Sequence, residues 1–235
     1  MSKRIKRIVV LAMAALAAYL VLGIVISDYV FPPEKPDLAT YFRPGDNLVS
    51  RTEGFYQTVL GVDDGWLHTR LEVAPHAPGP PEHFHEAFEE SFTVKSGTVS
   101  ILINGEKRTL KAGETIVVPP MTRHKPFNET DETAVVESEN TKTLPVQFGY
   151  ILSQLYGFMD SQPNGPTTPQ MLLQLSVYGN DADSWIADGP PLAVQKAMRV
   201  VMAPTARLLG YKSLYKEYGP KRSSVASQLH TDGLN

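Results

Sequence analysis

Three regimes of hydrophobic patterning divide the chain. An uncharged, almost wholly apolar run extends from Ile8 to Ile26, which is typical of a helix that spans a bilayer. Between Glu53 and Tyr150, short apolar or alternating runs are separated by Gly, Pro and Asn-Gly turns, which predicts β-strands. After Tyr150, apolar residues recur at intervals of three and four, as on one face of a helix. The pattern predicts a mainly β domain with one helix before it and helices after it.

The N-terminal run is 19 residues long and would form a helix of roughly 28 Å, close to the roughly 30 Å hydrocarbon core of a bilayer. Four Lys and Arg side chains precede it, so the positive-inside rule predicts a cytoplasmic N-terminus, a single-pass anchor in residues 1–30 and a barrel outside the cytoplasm. Secretion after signal cleavage is the alternative, because residues 25–27 resemble a weak cleavage site. Residues 31–49 are proline-rich at their start and are expected to form a linker.

The β region consists of candidate strands of at most eight residues. Asn104-Gly105 favours a two-residue hairpin, because a type I′ turn requires positive φ at both central positions. No helix-period segment of useful length interrupts the region, which favours a small antiparallel barrel or sandwich over alternating strands and helices. The predicted strands are residues 54–60, 66–73, 91–95, 98–103, 107–110, 115–118, 133–138 and 146–150.

Two helix signals follow in the last part of the chain. Thr167-Thr168-Pro169 precedes an apolar run at 170–175, and hydroxyl caps followed by proline mark a helix start. A longer helix is predicted from Pro190 through Met202, with Pro204 kinking or restarting it and Gly210 ending it. Residues 151–235 are therefore expected to form a helical extension with a flexible tail.

Composition narrows the chemistry of any site. The chain contains no cysteine, which excludes disulfides, thiolate metal ligands and a cysteine nucleophile, so a metal would need His, Asp or Glu ligands. The net charge of −3 gives no support for a nucleic-acid partner. Charge is uneven along the chain, because residues 31–150 contain 11 Lys and Arg against 18 Asp and Glu, whereas residues 191–235 contain seven against two.

The basic C-terminal segment has two interpretations. Its cations alternate with apolar and tyrosine side chains at helical spacing, as in amphipathic helices. A helix pair could pack on the acidic barrel, or it could lie on the outer membrane surface with cations at anionic head groups. The first interpretation is favoured, because the acidic barrel offers the cations an electrostatic partner as good as anionic head groups would be. The cations are Lys196, Arg199, Arg207, Lys212, Lys216, Lys221 and Arg222.

The most informative stretch contains His83, His85 and Glu90. Residues i and i+2 of a strand share a face, so the two histidines can point into one cavity. Glu90 follows at a distance that lets the next strand present its carboxylate to the same point. Strand alternation allows only one of Glu89 and Glu90 to point inward, and the spacing to the following glycine favours Glu90. A third imidazole is available at His124.

This ordered set resembles the two signature motifs of the cupin superfamily. The first motif, H-x-H, three or four residues, E, six residues, G, is matched by His83, His85, Glu90 and Gly97. The second, G, five residues, P-x-G, two residues, H, three residues, N, is matched by Gly113, Pro119, His124 and Asn128. Two positions depart from the motifs. Met121 replaces the glycine of P-x-G. Gly79, the glycine that precedes the first histidine, is nearer to it than the leading glycine of the family's first motif. The resemblance covers about residues 50–150 and implies an antiparallel jelly-roll barrel.

The resemblance further implies one divalent transition metal held by His83, His85, Glu90 and His124. Three imidazoles and one carboxylate suit Fe, Mn, Ni, Cu, Co or Zn rather than Ca or Mg. Four protein ligands on an octahedral ion leave two positions for water, dioxygen or substrate. We therefore expect a membrane-anchored metalloenzyme of dioxygenase or isomerase type that acts on a small oxygenated molecule, with catalytic residues unknown. The alternatives are a non-catalytic small-molecule-binding or accessory barrel at the membrane, and a barrel without metal whose histidines face solvent.

Several other residues carry weaker expectations. Asn128 either holds the last ligand strand and lines the pocket, or makes a structural turn. His68 and Arg70 are expected to face solvent, because they alternate with an apolar set on the same strand. His76 is expected to be exposed, and His230 belongs to a frayed tail. A homodimer formed through the sheets is also an expectation of the resemblance.

Overall fold

The computed structural model of the chain describes residues 1–30, 32–138 and 142–222. The tail around His230 therefore lies outside the described residues. In chain order the regular elements are α1 (Lys3–Tyr29), α2 (Leu38–Tyr41), β1 (Asp46–Ser50), β2 (Phe55–Asp63), β3 (Trp66–Val73), β4 (His83–Phe84), β5 (Glu90–Ser96), β6 (Thr98–Ile103), β7 (Glu106–Lys111), β8 (Thr115–Val118), β9 (His124–Phe127), β10 (Ala134–Glu137), β11 (Leu144–Pro145), α3 (Val146–Asp160), α4 (Thr168–Ser176), β12 (Trp185–Ile186), α5 (Leu192–Leu208) and β13 (Lys221–Arg222).

The strands form two antiparallel sheets. The larger sheet has the order β13-β1-β2-β3-β10-β5-β8, with β11 also paired to β3, and the smaller has the order β12-β4-β9-β6-β7. Apolar side chains from both sheets, among them Val73, Val94 and Ile101, share one buried core. Two antiparallel sheets that bury a common core form a jelly roll. The prediction of a mainly β, antiparallel jelly-roll domain followed by a helical extension is confirmed.

Most predicted strands are present, and those at 66–73, 98–103 and 115–118 coincide with β3, β6 and β8. The Asn104-Gly105 hairpin joins β6 to β7, with φ of 50° and 82° at its two residues. The sequence did not predict β1 or β9. Both strands place polar side chains at buried positions, such as Asp46 in β1 and His124 in β9, so neither shows an apolar stripe.

The predicted strand at 146–150 is wrong, because these residues begin α3. Val146, Phe148 and Tyr150 alternate with less apolar residues and therefore imitate a strand. Apolar residues continue at helical spacing through Ile151 and Leu155, which are buried as well. The helix is buried on more than one side, so its pattern does not show the polar stripe by which a surface helix is identified.

The two predicted helices of the extension are present, with one difference. Helix α4 begins with a capping box between Thr167 and Gln170, as the sequence indicated. Helix α5 continues through Pro204 to Leu208, and Gly210 at φ 88° ends it. The interpretation of the basic C-terminal segment as a helix pair is wrong within the described residues, because beyond Gly210 the chain forms the short 3-10 turn Lys216–Tyr218 and joins β1 as β13.

Helix α1 packs against α5. The Tyr19 hydroxyl donates to the Val201 carbonyl at 2.9 Å and lies 2.6 Å from the Thr205 hydroxyl oxygen. Gly23 faces Pro204 so closely that a Cβ atom there would lie 2.6 Å from the proline Cβ. Among the described residues, one helical segment is long and apolar enough to cross a membrane, Lys3–Gly23 within α1.

Candidate metal centre

The fold brings together all four ligands that the sequence predicts. The potential donor atoms of His83, His85, Glu90 and His124 lie within 4.8 Å of one another. His83 on β4 is paired directly with His124 on β9 in the smaller sheet, and His85 follows β4. Glu90 opens β5 in the larger sheet. The group therefore joins the two sheets inside the barrel, which explains how ligands so distant along the chain meet.

Glu90 holds the group together. Its Oε2 atom lies 2.8 Å from Nε2 of His124 and 3.7 Å from Nε2 of His85. The rings of His83 and His124 have centroids 4.5 Å apart. Glu89 is exposed, so the strand turns Glu90 and not its neighbour toward the imidazoles.

Backbone carbonyls orient all three imidazoles. Nδ1 of His83 lies 2.9 Å from the Pro81 carbonyl oxygen, and Nδ1 of His124 lies 2.9 Å from that of Thr122. Nδ1 of His85 is hydrogen-bonded to the carbonyl of Asp183. A carbonyl can only accept, so each Nδ1 carries the proton, and Nε2 is the atom available to a metal.

One of these nitrogens, Nε2 of His85, lies 3.7 Å from the Glu90 carboxylate, which is beyond hydrogen-bonding distance. Nε2 of His85 is buried and makes no hydrogen bond with any described residue, and the His85 side chain is 2% exposed. Leaving a buried polar atom unpaired costs about 1–3 kcal/mol. Such an atom beside a carboxylate and two further imidazoles fits a divalent transition metal, whose usual ligands are imidazole and carboxylate.

The electrostatics of the group suit metal binding. Burial, together with the neighbouring His124 and His85, lowers the pKa of His83 to about 3, so this imidazole is neutral at physiological pH. Burial raises the pKa of Glu90, but the two adjacent imidazoles outweigh it and hold that pKa well below its ordinary value. Burial lowers the pKa of His124, but the hydrogen bond to the Glu90 carboxylate and the charge of that carboxylate, together with smaller contributions, outweigh burial and raise the pKa. The raised pKa favours the imidazolium form of His124 beside the Glu90 carboxylate, and a metal bound at Nε2 would displace that proton.

The helical extension supports His85 directly. The Asp183 carboxylate accepts hydrogen bonds from the backbone N–H groups of Glu86 and Ala87 at 2.9 and 2.8 Å, so the segment that supplies the carbonyl to His85 is tied to the histidine's own loop. The following strand, β12, pairs with β4 and places Ile186 opposite His83. The extension therefore forms part of the site.

Arg199 on α5 holds this supporting segment in place. Its guanidinium stacks on the Trp185 ring at 3.8 Å from the centroid and donates to the carbonyls of Ala182 and Ser184, on either side of Asp183. The Trp185 indole N–H donates to the Asp183 carboxylate at 2.9 Å. The sequence analysis did not identify this network, because its members lie about 100 residues after the first motif.

A cavity of about 240 Å³ adjoins the group. Its polar lining includes His83, His85, Glu90 and Glu53, and Tyr156 on α3 also faces it. Its remaining walls are mostly apolar and come from the barrel, α3 and α4. These apolar residues include Phe55, Leu71, Phe92, Leu144, Phe148, Leu152, Leu155, Met159, Met171, Leu175 and Ile186.

The secondary expectations have the following outcomes. The Asn128 amide donates to the carbonyls of Ala74 and Glu132 at 3.0 and 2.7 Å, which supports the structural-turn alternative. His76 is exposed and lies 2.8 Å from the Asp131 carboxylate. Arg70 is exposed, as expected. Of the predicted basic surface, Lys196 contacts the Glu86 carboxylate at 2.8 Å, which favours packing on the barrel for this part of α5.

Both departures from the motifs occur at positive φ. Met121 has φ 64° and is 56% exposed, and its N–H donates to the His85 carbonyl at 2.7 Å. The tight turn is therefore retained with a side chain present. Gly79 also has φ 64°, and a Cβ atom there would lie 1.9 Å from the Pro126 carbonyl oxygen. Only glycine fits at this position.

Two stacked antiparallel sheets with a buried histidine and carboxylate cluster define the class of this protein as a jelly-roll barrel with a metal-type site. The cupin domain family model matches residues 69–138, which include all four candidate ligands. This match supports the assignment of the barrel to the cupin superfamily. No curated protein matches the chain.

Solved structures similar to this chain come from several bacteria. KdgF from Halomonas is 23% identical, with 36% of this chain and 76% of that chain covered, at a TM-score of 0.33. A sugar phosphate isomerase of the cupin superfamily from Silicibacter pomeroyi is 20% identical, with coverages of 46% and 76%, at a TM-score of 0.33. PAC13 from Streptomyces, solved with uridine, is 23% identical, with coverages of 42% and 82%, at a TM-score of 0.33. These similarities assign no activity to this chain.

Proposed function

We propose that this chain is a membrane-anchored metalloenzyme of dioxygenase or isomerase type that acts on a small oxygenated molecule. His83, His85, Glu90 and His124 would hold one divalent transition metal, chosen from Fe, Mn, Ni, Cu, Co and Zn. The observation that carries the proposal is the buried, unpartnered Nε2 of His85 within 4.8 Å of the other three donors. A purely structural cluster would leave that atom at a cost in stability with no compensation.

Each part of the site has a role in this proposal. When bound, the metal would supply Lewis-acid or redox activation of a substrate oxygen. The Pro81, Thr122 and Asp183 carbonyls keep the three Nε2 atoms directed toward one point. The apolar walls exclude water and accommodate the non-reacting part of a small molecule, as is usual for small-molecule sites.

Metal content tests the proposal. The full-length chain is purified in detergent without chelator, and bound metal is measured per chain for the wild type and for His85→Ala, Glu90→Gln and His76→Ala. We expect about one ion in the wild type and in His76→Ala, whose exposed imidazole lies outside the cluster, and at least a tenfold loss in the other two. Equal metal in all four proteins would contradict the proposal.

The apolar cavity also favours a second candidate, a non-catalytic small-molecule-binding barrel, because its walls would hold a ligand whether or not the ligand reacts. Oxygen consumption and product formation with small phenols, diols and keto acids distinguish the two. Turnover that requires the metal supports the enzyme. Saturable binding without turnover supports the binding barrel.

We further propose that α1 anchors the chain with the barrel outside the cytoplasm. The uncharged run of α1 and the four cations before it support this orientation. An alkaline phosphatase fused after Asn235 is active only outside the cytoplasm, so we expect an active fusion that sediments with membranes. An inactive fusion would contradict the orientation, and an active soluble fusion would favour secretion after cleavage.

A further inference from the structure

A second acidic side chain faces the cavity, and the metal-type cluster does not use it. Glu53 lies in the turn between β1 and β2, lines the same cavity as His83 and Glu90, and is 8% exposed. The Tyr156 hydroxyl on α3 interacts with the Glu53 carboxyl and lowers its pKa against the effect of burial. Tyr156 is itself buried and is close enough to Glu90 to experience its charge. Glu53 and Tyr156 therefore line the same cavity as His83, His85 and Glu90.

Hydrogen bonds from neighbouring elements fix the position of this turn. The Asp160 carboxylate, one helical turn beyond Tyr156, accepts hydrogen bonds from the N–H groups of Arg51 and Thr52 at 2.8 and 3.0 Å. The Glu53 carbonyl accepts from the Gly79 N–H at 3.2 Å. Helix α3 therefore positions both members of the pair, Tyr156 directly and Glu53 through the turn.

The surroundings of Glu53 are unusual for an acid with a purely structural role, because a buried carboxylate is normally paired with a cation. Tyr156 and Asp160 of α3 are the ionisable groups that act on the Glu53 carboxyl. Glu90 and the imidazoles of His83 and His85 line the same cavity. Burial raises the pKa of Glu53 to about 7, with the Tyr156 hydrogen bond opposing and the Asp160 charge reinforcing the rise. A carboxyl that titrates near neutral pH suits general acid–base chemistry.

We infer that Glu53 is the acid–base residue of this cavity and that the substrate is an apolar carbonyl compound with a C–H bond beside its carbonyl. This inference rests on the proposed function and deepens it toward the isomerase alternative. A metal held by His83, His85, Glu90 and His124 would polarise the carbonyl, the apolar walls would hold the hydrocarbon body, and Glu53 would face the carbon that carries the proton. Tyr156 is a positioning residue that acts through Glu53.

The proposed step balances without an oxidant. The Glu53 carboxylate removes the proton from the carbon beside the carbonyl, and the electron pair of the broken C–H bond remains on the substrate as an enolate. The carboxyl then returns its proton to a carbon of the enolate and becomes a carboxylate again. Return to the original carbon gives hydrogen exchange, and return elsewhere in a conjugated substrate gives an isomer.

The first test measures Glu53 without metal or substrate. The full-length chain in detergent is labelled with carboxyl-¹³C glutamate, and the Glu53 resonance is assigned by its loss in Glu53→Gln. We expect its titration midpoint near pH 7 and a higher midpoint in Tyr156→Phe, because the tyrosine hydrogen bond stabilises the carboxylate. A midpoint near the ordinary value of about 4.3 would overturn the inference.

The second test measures proton transfer directly. Zinc-loaded full-length protein is incubated in D₂O with 4-phenyl-2-butanone, an apolar ketone, and the loss of its α-proton signals is followed by NMR. We expect exchange at least tenfold slower in Glu53→Gln than in the wild type, with unchanged zinc content, whereas Glu72→Gln, an exposed carboxyl on β3, should match the wild type. In Tyr156→Phe the pH profile of exchange should move to higher pH.

The outcomes distinguish a failure of the role of Glu53 from a failure of the proposed metal site. Equal exchange in the wild type and Glu53→Gln would overturn the role of Glu53, and a zinc-loaded wild type that exchanges no faster than His85→Ala would overturn the placement of the substrate carbonyl at the metal site. Failure of the wild type to bind zinc or another transition metal would instead contradict the proposed metalloenzyme. Loss of exchange in Glu53→Gln with zinc retained supports both.

Discussion

At the scale of single residues, the buried carboxyl of Glu53 connects the cavity to the stability of the fold. Its raised pKa of about 7 means that the folded protein retains a proton that the unfolded chain releases near pH 4.3. Between these values the folded state binds more protons than the unfolded state. The free energy of unfolding therefore falls as the pH rises through this interval and stops changing above about pH 7.

The measurement for Glu53 is urea unfolding of the wild type and Glu53→Gln at pH 5 and pH 8. Because glutamine does not titrate, the free energy of unfolding of the wild type should fall by about 3 kcal/mol more than that of Glu53→Gln between pH 5 and pH 8. Other ionisable groups contribute equally to both proteins and cancel in the difference. An identical pH dependence would show that Glu53 titrates normally in the folded protein.

Met121 and Gly79 make a matched pair of backbone tests. Met121 has a positive φ and an exposed side chain, so Met121→Gly should relieve about 1 kcal/mol of strain while increasing the entropy of the unfolded chain by a similar amount. We expect its free energy of unfolding to stay within about 1 kcal/mol of the wild type. Gly79→Ala should cost more than about 2 kcal/mol, because its Cβ would overlap the Pro126 carbonyl oxygen. Similar losses in both variants would contradict this account of the two turns.

At the scale of elements, α5 and the segment before β12 support His85, a ligand in the loop that follows β4. Arg199 clamps the carbonyls on either side of Asp183, and Asp183 supplies the hydrogen-bond acceptor for His85. An outer hydrogen-bond partner of this kind fixes the tautomer and orientation of an imidazole ligand. The extension is therefore expected to influence metal affinity although it provides no ligand atom.

Arg199→Ala tests the support from α5. We expect zinc affinity, measured by competition with a chelator, to fall by about 10–100-fold. Lys216→Ala, an exposed cation of the same extension, should leave the affinity unchanged. Unchanged affinity in Arg199→Ala, with the protein still folded, would limit the role of the network to stability.

Some elements of the fold and site could be predicted from the sequence and others could not. The barrel and its tetrad were predictable, because His83, His85, Glu90 and His124 stand at motif spacings and strand periodicity dictates which of them share a face. The Asp183–Arg199 support was not, because a backbone carbonyl as acceptor leaves no residue-type signal. The start of α3 was read as a strand because Val146, Phe148 and Tyr150 happen to alternate, and only burial of the helix on several sides explains that pattern. Glu53 precedes Gly54 in an ordinary turn sequence, which gives no sign of burial. Its burial depends on α3, which is distant in the sequence, and therefore could not be predicted.

At the scale of the whole molecule, the proposed anchor and the site are physically connected. Tyr19 and Gly23 of α1 contact α5, and α5 carries Arg199, which supports His85 through Asp183. The extension therefore lies between the apolar helix and the barrel and contacts both. The extension also supplies walls of the apolar cavity, so the cavity and the segment that we propose lies in the membrane are connected through it.

The central claim is that three imidazoles and one carboxylate of the barrel bind a single metal ion. X-ray absorption spectroscopy of the zinc-loaded full-length protein in detergent tests it most directly. We expect a coordination shell with three imidazole nitrogens at about 2.0–2.1 Å and one carboxylate oxygen at about 2.0–2.2 Å, with one imidazole fewer in His124→Ala. A zinc shell made mainly of water oxygen, or one unchanged by His124→Ala, would contradict it.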